Sequence, residues 1–328
     1  METPKIRMAS MKQKLLYFSR EYTVALMLLG IFLLMSVLRP ATFLQLNNIM
    51  NVIRVVSIIG IMACGMTCVM IFSGFDLSIG MIMSFSGVMF VLCYEVLGPF
   101  LAFLAALFCG VAFGAVNGAI LSLIKAGVGE TFVITLGMQG VIYSLGMIVS
   151  NGAELRGSSD PFFLFLGKGF VLGIAFPIYV FVIIAILSQV ILKYTSIGRR
   201  FYLIGGNKTA AKLSGIKVEK YRVLVFSFSG LCASIAGVIL TSRTLAGSQR
   251  MGTGYEFDTI SAIVIGGTSL FGGEGNILKT VFGVLLVSFL INALNLLGIA
   301  NEWQYLAKGL VVVVAVWLDM MKKKKEGR

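Results

Sequence analysis

Met50-Asn51-Val52-Ile53-Arg54-Val55-Val56-Ser57-Ile58-Ile59-Gly60-Ile61-Met62-Ala63-Cys64-Gly65-Met66-Thr67-Cys68-Val69-Met70-Ile71-Phe72 contains a single charge, Arg54. A helix needs about 20 largely apolar residues to cross the hydrocarbon core of a bilayer, so this run reads as a membrane span. The pattern repeats on both sides of it. Spans are expected near 22–38, 50–72, 77–94, 99–124, 131–150, 171–192, 222–242, 258–270, 279–298 and 303–319. The eighth is short enough to be re-entrant or broken, and the third is open to a split. The expected fold class is all-α: a polytopic membrane protein of about ten transmembrane helices, forming a single domain over 1–328.

Composition points the same way. Of 328 residues, 58% are hydrophobic and 12% charged, about half the charged fraction of a soluble domain. A soluble fold has too little polar surface to cover so much apolar side chain. The absence of histidine removes serine–histidine nucleophiles, histidine general bases and histidine-bound zinc. The five cysteines, Cys64, Cys68, Cys93, Cys109 and Cys232, all lie in or beside apolar runs and read as buried small side chains. Gly110, Gly114 and Gly118 form a small-residue ridge that lets helices approach closely, read as packing within one chain.

The net charge of +13 is distributed by side. Ten spans put both termini together, and the positive-inside rule puts them in the cytoplasm. The predicted outer side holds Arg39, Arg54, Arg156, Lys168, Arg243 and Arg250; apart from Lys308, inside the last span, every other Lys and Arg falls inside. The inner segments are a tail at 1–21, a hydrophilic loop at 193–221 and a basic tail at 320–328. Arg39-Pro40 follows the first apolar run with no small-residue cleavage site, so that run is expected to remain as a span. Within the long loop, Asn207 can cap a short helix from Lys208 to Leu213, with Gly215 as its stop. Such a helix can dock into a partner's groove, or the loop can be merely solvated.

No Walker A loop is present, because Asn207-Lys208-Thr209 lacks the required glycines. Asp76, Glu130, Glu154, Asp160, Glu219, Glu256, Glu274 and Glu302 read as loop or turn residues and Asp258 as a span edge, so no carboxylate is expected at mid-membrane. Ion-coupled carriers usually need one there. Lys308 reads as a lysine that snorkels or pairs locally. The polar residues inside spans are neutral: Asn117, Gln139, Tyr143, Asn292 and Asn295. They are candidates for the lining of a solute path, or for interhelical hydrogen bonds.

Four stretches resemble the ribose-type sugar permeases of bacterial ATP-binding-cassette importers. They are Gly74-Phe75-Asp76-Leu77-Ser78-Ile79-Gly80; Ile204-Gly205-Gly206-Asn207 with Ala210-Ala211-Lys212-Leu213-Ser214-Gly215-Ile216; Gly252-Thr253-Gly254-Tyr255-Glu256-Phe257-Asp258; and Ile265-Gly266-Gly267-Thr268-Ser269-Leu270-Phe271-Gly272-Gly273. The resemblance implies a multi-pass permease subunit in the bacterial inner membrane that does no covalent chemistry. It implies a second permease subunit, a cytoplasmic ATPase with tandem nucleotide-binding domains that holds the ATP and magnesium, and an extracytoplasmic sugar-binding protein. It makes Gly205, Gly206, Asn207, Ala210, Ala211, Leu213, Ser214, Gly215 and Ile216 the ATPase-coupling loop, and Asp76, Leu77, Ser78 and Gly80 a family signature turn. The sequence departs from the family where Glu130-Thr131 precedes Phe132, a place where many relatives carry proline. Nucleoside and branched-chain amino acid permeases share the wider superfamily and stand as alternatives. A stand-alone ion-coupled carrier and a membrane enzyme are weaker ones.

Overall fold

A computed structural model describes residues 23–300, 302–310, 313 and 317; the terminal tails at 1–21 and 320–328, and part of the span read at 303–319, lie outside the described residues. The chain opens with α1 (Thr23–Leu38), α2 (Pro40–Phe43) and α3 (Leu46–Ile71). Proline stands at the start of α2, where its missing N–H costs nothing. In α3 every residue from Ser57 to Ile71 is buried. A helix apolar all round belongs at the centre of a bundle, and here α3 is that centre.

A turn through 72–78 leads to α4 (Ile79–Leu97), then α5 (Pro99–Leu123) and α6 (Val128–Val149). The third predicted span is therefore unsplit. α6 starts three residues earlier than the sequence suggested, and Glu130 supplies the reason. Its Oε2 accepts from Gly127 N at 2.9 Å, so the glutamate closes the helix start. β1 (Leu155–Arg156), α7 (Pro161–Lys168), β2 (Phe170–Val171) and β3 (Ile174–Ala175) follow. The sixth predicted span began in this β2–β3 hairpin; the helix itself is α8 (Phe176–Tyr194).

The segment read as a hydrophilic loop at 193–221 is mostly helical, with α9 (Ser196–Gly206) and α10 (Lys208–Leu213) ahead of α11 (Val218–Thr244). After α11 come β4 (Ala246–Gly247), antiparallel to β1, a 3-10 turn over Gln249–Gly252, α12 (Tyr255–Ile265) and α13 (Ile277–Leu296). Residues 302–310 form a last described helix, α14.

The glycine ridge of α5 packs inside the chain. A Cβ at Gly110 would meet Gly230 and Ser234, at Gly114 Phe226 and Ser227, and at Gly118 Val223, all on α11. Backbones this close exchange dispersion contacts along the whole crossing. The five cysteines are free thiols, with Cys64, Cys68 and Cys232 buried.

The described residues bear out part of the expected count of about ten spans. Among the described residues seven helices are long and apolar enough to cross a membrane, α3, α4, α5, α6, α8, α11 and α13, and α1 is a shorter apolar helix. α12 has 11 residues, about 16 Å at 1.5 Å per residue, which is half a span. The chain enters it by descending through the bundle. Gly247 lies beside Gly87 and Val88, Gln249 beside Gly146, and Gly252 against Gly80. From 247 to 252 the chain thus runs inward alongside α4, so α12 begins within the bundle. Outward surfaces are apolar, with Val37, Phe108, Leu123, Val133 and Ile148 exposed, as contact with lipid requires.

Candidate coupling surface and polar centre

The signature turn is a hydrogen-bonded knot. Asp76 is fully buried. Its Oδ1 accepts from Ser78 N at 3.1 Å and Ser78 Oγ at 2.6 Å, and Ser78 Oγ accepts from Asn117 Nδ2 at 2.8 Å. Phe75 N and Leu77 N donate to Thr131 Oγ1 and Thr135 Oγ1, at 3.0 and 3.1 Å. Asp76 closes an Asx turn onto Ser78 just ahead of α4, and no side chain caps that helix. Asn117, a path candidate, is consumed here. Gly80 holds its place because a Cβ there would strike Gly252 O and Glu256 Oε2.

The coupling candidates divide into anchors and an exposed rim. α9 lies against the end of α3: a Cβ on Gly205 would run into Ile71 O and Gly273 N. Tyr202 OH donates to Gly275 O at 2.8 Å, and Gly273 N to Ile71 O at 2.9 Å. One short helix thereby touches both the α3 end and the 266–276 connection. Asn207 Oδ1 accepts from Ala210 N at 2.9 Å and caps α10, while Gly215, at φ +79°, ends that segment in the left-handed conformation glycine favours. Ala211 is buried and Ile216 half-buried; Gly206, Asn207, Ala210, Leu213, Ser214 and Gly215 are exposed, Leu213 to 85%.

Two cations tie this unit to the α5–α6 turn. Lys208 Nζ donates to Lys125 O at 2.8 Å and Ala126 O at 2.6 Å. Buried Arg222 donates to Leu121 O and, at 2.7 Å, to Ala126 O. Positive groups on carbonyls at a helix C-terminus satisfy orphan acceptors and complement its dipole. Burial, and then the neighbouring Arg222, push the Lys208 ammonium below its ordinary range. Neither cation was singled out by sequence; both read as orientation charges, because their acceptors are about 80 to 100 residues away.

The carboxylate reading also needs correction. Glu256 and Asp258 are 2% and 5% exposed, in the helix that starts inside the bundle. Glu256 Oε2 accepts from Gly254 N at 3.1 Å and Oε1 from Gln139 Nε2 at 3.3 Å. Gln139 stands at the middle of α6, so Glu256 lies at mid-depth. Lys308 Nζ lies 2.8 and 3.0 Å from the two oxygens of Asp258, the local pairing expected for it. Local sequence hid these groups, since Gly252-Thr253-Gly254 ahead of them looks like an ordinary surface turn.

The other path candidates scatter. Asn292 and Asn48 exchange hydrogen bonds at 2.8 and 3.2 Å, joining α13 to α3. Asn295 Oδ1 accepts from Gln304 Nε2 at 2.8 Å. Only Gln139 and Tyr143, one turn apart on α6 and both half-buried, stay together, with Gln139 hydrogen-bonded to the buried Glu256.

Apolar helices packed around a broken passage that ends in the half-helix α12, with ionisable groups buried inside the bundle, define a polytopic membrane permease. The chain belongs to the family described as branched-chain amino acid transport system / permease component, whose model matches residues 48–316. It is 38% identical to the ribose import permease protein RbsC of Haemophilus influenzae over 304 residues, 92% of each chain. Against RbsC of Bacillus subtilis it is 39% identical over 299 residues, 90% of this chain and 92% of that one. Against the D-allose transport system permease protein AlsC of Escherichia coli it is 33% identical over 289 residues, 88% and 87%. No solved structure gives a significant match.

Proposed function

We propose that this chain is the membrane-spanning permease subunit of an ATP-binding-cassette importer that carries a small, ribose-like monosaccharide inward across the bacterial inner membrane. The observation that carries this reading is its likeness, over nine-tenths of its length, to ribose import permeases. Both termini and α9–α10 face the cytoplasm, in keeping with the clustering of Lys and Arg. A partner ATPase with tandem nucleotide-binding domains supplies ATP and magnesium and grips the exposed rim from Gly206 to Gly215. A second permease subunit completes the pathway, and an extracytoplasmic binding protein delivers the solute. Closure of the ATPase moves α9 and α10, and through Gly205, Tyr202 and Lys208 that motion reaches the α3 end, the 266–276 connection and the α5–α6 turn. The bundle then alternates between outward- and inward-open states. The permease forms no covalent bond with the solute.

The family's description supports a second reading, a branched-chain amino acid as cargo; calorimetry of the cognate binding protein with D-ribose and L-leucine separates the two. The buried Glu256 and Asp258 remove the sequence's reason for setting aside an ion-coupled carrier, and membership of the permease family now supplies it. Leu213→Asp or Gly215→Arg should leave the complex assembled but uncouple ATP hydrolysis from uptake. Wild-type uptake and solute-stimulated ATPase in both variants would refute the docking role.

A further inference from the structure

Gln139 is a primary amide ten residues from one end of α6 and eleven from the other, yet it is half-exposed. A side-chain amide at mid-membrane is costly against hydrocarbon. The half-buried face of α6 that carries Gln139 and Tyr143 therefore belongs beside water or a polar solute.

Glu256 decides how the amide is presented. Its carboxylate takes Gly254 N on one oxygen and Gln139 Nε2 on the other. Both oxygens accept in these bonds, so the Gln139 amide turns its NH2 inward. Its carbonyl Oε1 then accepts no hydrogen bond among the described residues. One turn along, with its Cβ about 5–6 Å from that of Gln139, Tyr143 carries a hydroxyl that makes no hydrogen bond among the described residues. We propose that Gln139 and Tyr143 form a hydroxyl-reading pair on the solute route, and that Glu256 is the positioning residue that sets the Gln139 amide.

The chemistry selects neutral, hydroxyl-bearing solutes. Oε1 accepts from a solute hydroxyl, and the phenol donates to or accepts from the next one. A carboxylate-bearing solute would meet an amide carbonyl backed by a buried Glu256. The inference rests on the transport reading above and narrows its substrate class to polyols over amino acids.

The test reconstitutes the permease with its ATPase and binding protein in liposomes, using D-ribose and 2-deoxy-D-ribose as probes. Gln139→Met and Tyr143→Phe should each cut the maximal rate for D-ribose about tenfold, the value of one hydrogen bond. They should leave half-saturation, set by the binding protein, unchanged, and narrow the preference over the deoxy sugar. Glu256→Gln should narrow that preference too, because its amide can pair with Gln139 in either orientation. In a background lacking Cys93 and Cys109, Gln139→Cys and Tyr143→Cys should react with a small water-soluble methanethiosulfonate while Phe108→Cys stays unreactive. Wild-type transport of D-ribose with unchanged rates and preference in the variants, or unreactive thiols at 139 and 143, would overturn the pair alone. No ATP-dependent uptake of D-ribose or L-leucine by the wild-type complex would overturn the transport reading, and the pair with it.

Discussion

Lys308 Nζ lies 2.8 Å from Asp258 Oδ1, an ion pair that joins α14 to the half-helix α12. The side chains are 20% and 7% exposed, so each charge depends on the other.

Removing one partner should cost far more than removing both. Lys308→Met leaves a buried carboxylate without its counter-charge, an expected loss of about 3–5 kcal/mol. Thermal denaturation of the purified permease should show a marked fall in Tm, largely restored by Asp258→Asn in the same chain. A double variant no more stable than Lys308→Met would show that the pair is not the cause.

Adjacent glycines should behave oppositely. Gly205→Ala would drive a Cβ into Ile71 O, whereas Gly206→Ala meets nothing within 4 Å. The first should lose about 1–3 kcal/mol through overpacking, seen as lower membrane yield and Tm. The second should match the wild type.

The Lys208 clamp should affect coupling more than folding, because Arg222 still holds Ala126 O. With Lys208→Met, we expect near-normal yield and several-fold less solute moved per ATP hydrolysed. An unchanged ratio would assign Lys208 to anchoring alone.

On the opposite side of the bundle, Tyr94 OH donates to Asp160 Oδ1 at 2.7 Å and Phe162 N donates at 2.8 Å. These bonds, the tyrosine's first, hold the carboxyl below its ordinary value. A depressed carboxyl stabilises the fold above its unfolded pKa, and that stability drains as pH falls through the folded one. Melting curves recorded from pH 5 down to pH 3 should fall for the wild type and flatten for Asp160→Asn, which keeps an N-cap side chain. Equal slopes would remove Asp160 from acid sensitivity.

Local chemistry was readable from sequence, and long-range chemistry was not. Asn207 capping α10 and Gly215 ending it depend on neighbours within a few residues, so both could be derived. The Gly110, Gly114 and Gly118 ridge follows from a four-residue repeat. The descent from Gly247 to Gly252 has no 20-residue apolar signature, and its inward course is fixed by the close approach of Gly252 to Gly80. Glu256 and Asp258 were misplaced for that reason. Asn117 looked like a path residue because nothing near it in sequence reveals Ser78, 39 positions away. Lys208 and Arg222 were read by charge alone, since their carbonyl acceptors belong to another helix end.

Leu213 is the most direct probe of whether a cytoplasmic ATPase grips α10. In a background without accessible native thiols, Leu213→Cys should stay unlabelled by a membrane-impermeant maleimide in intact cells. It should label in inverted vesicles, and adding the purified ATPase should protect it. Labelling in intact cells would put the α9–α10 unit on the outer face and contradict the coupling mechanism at its root.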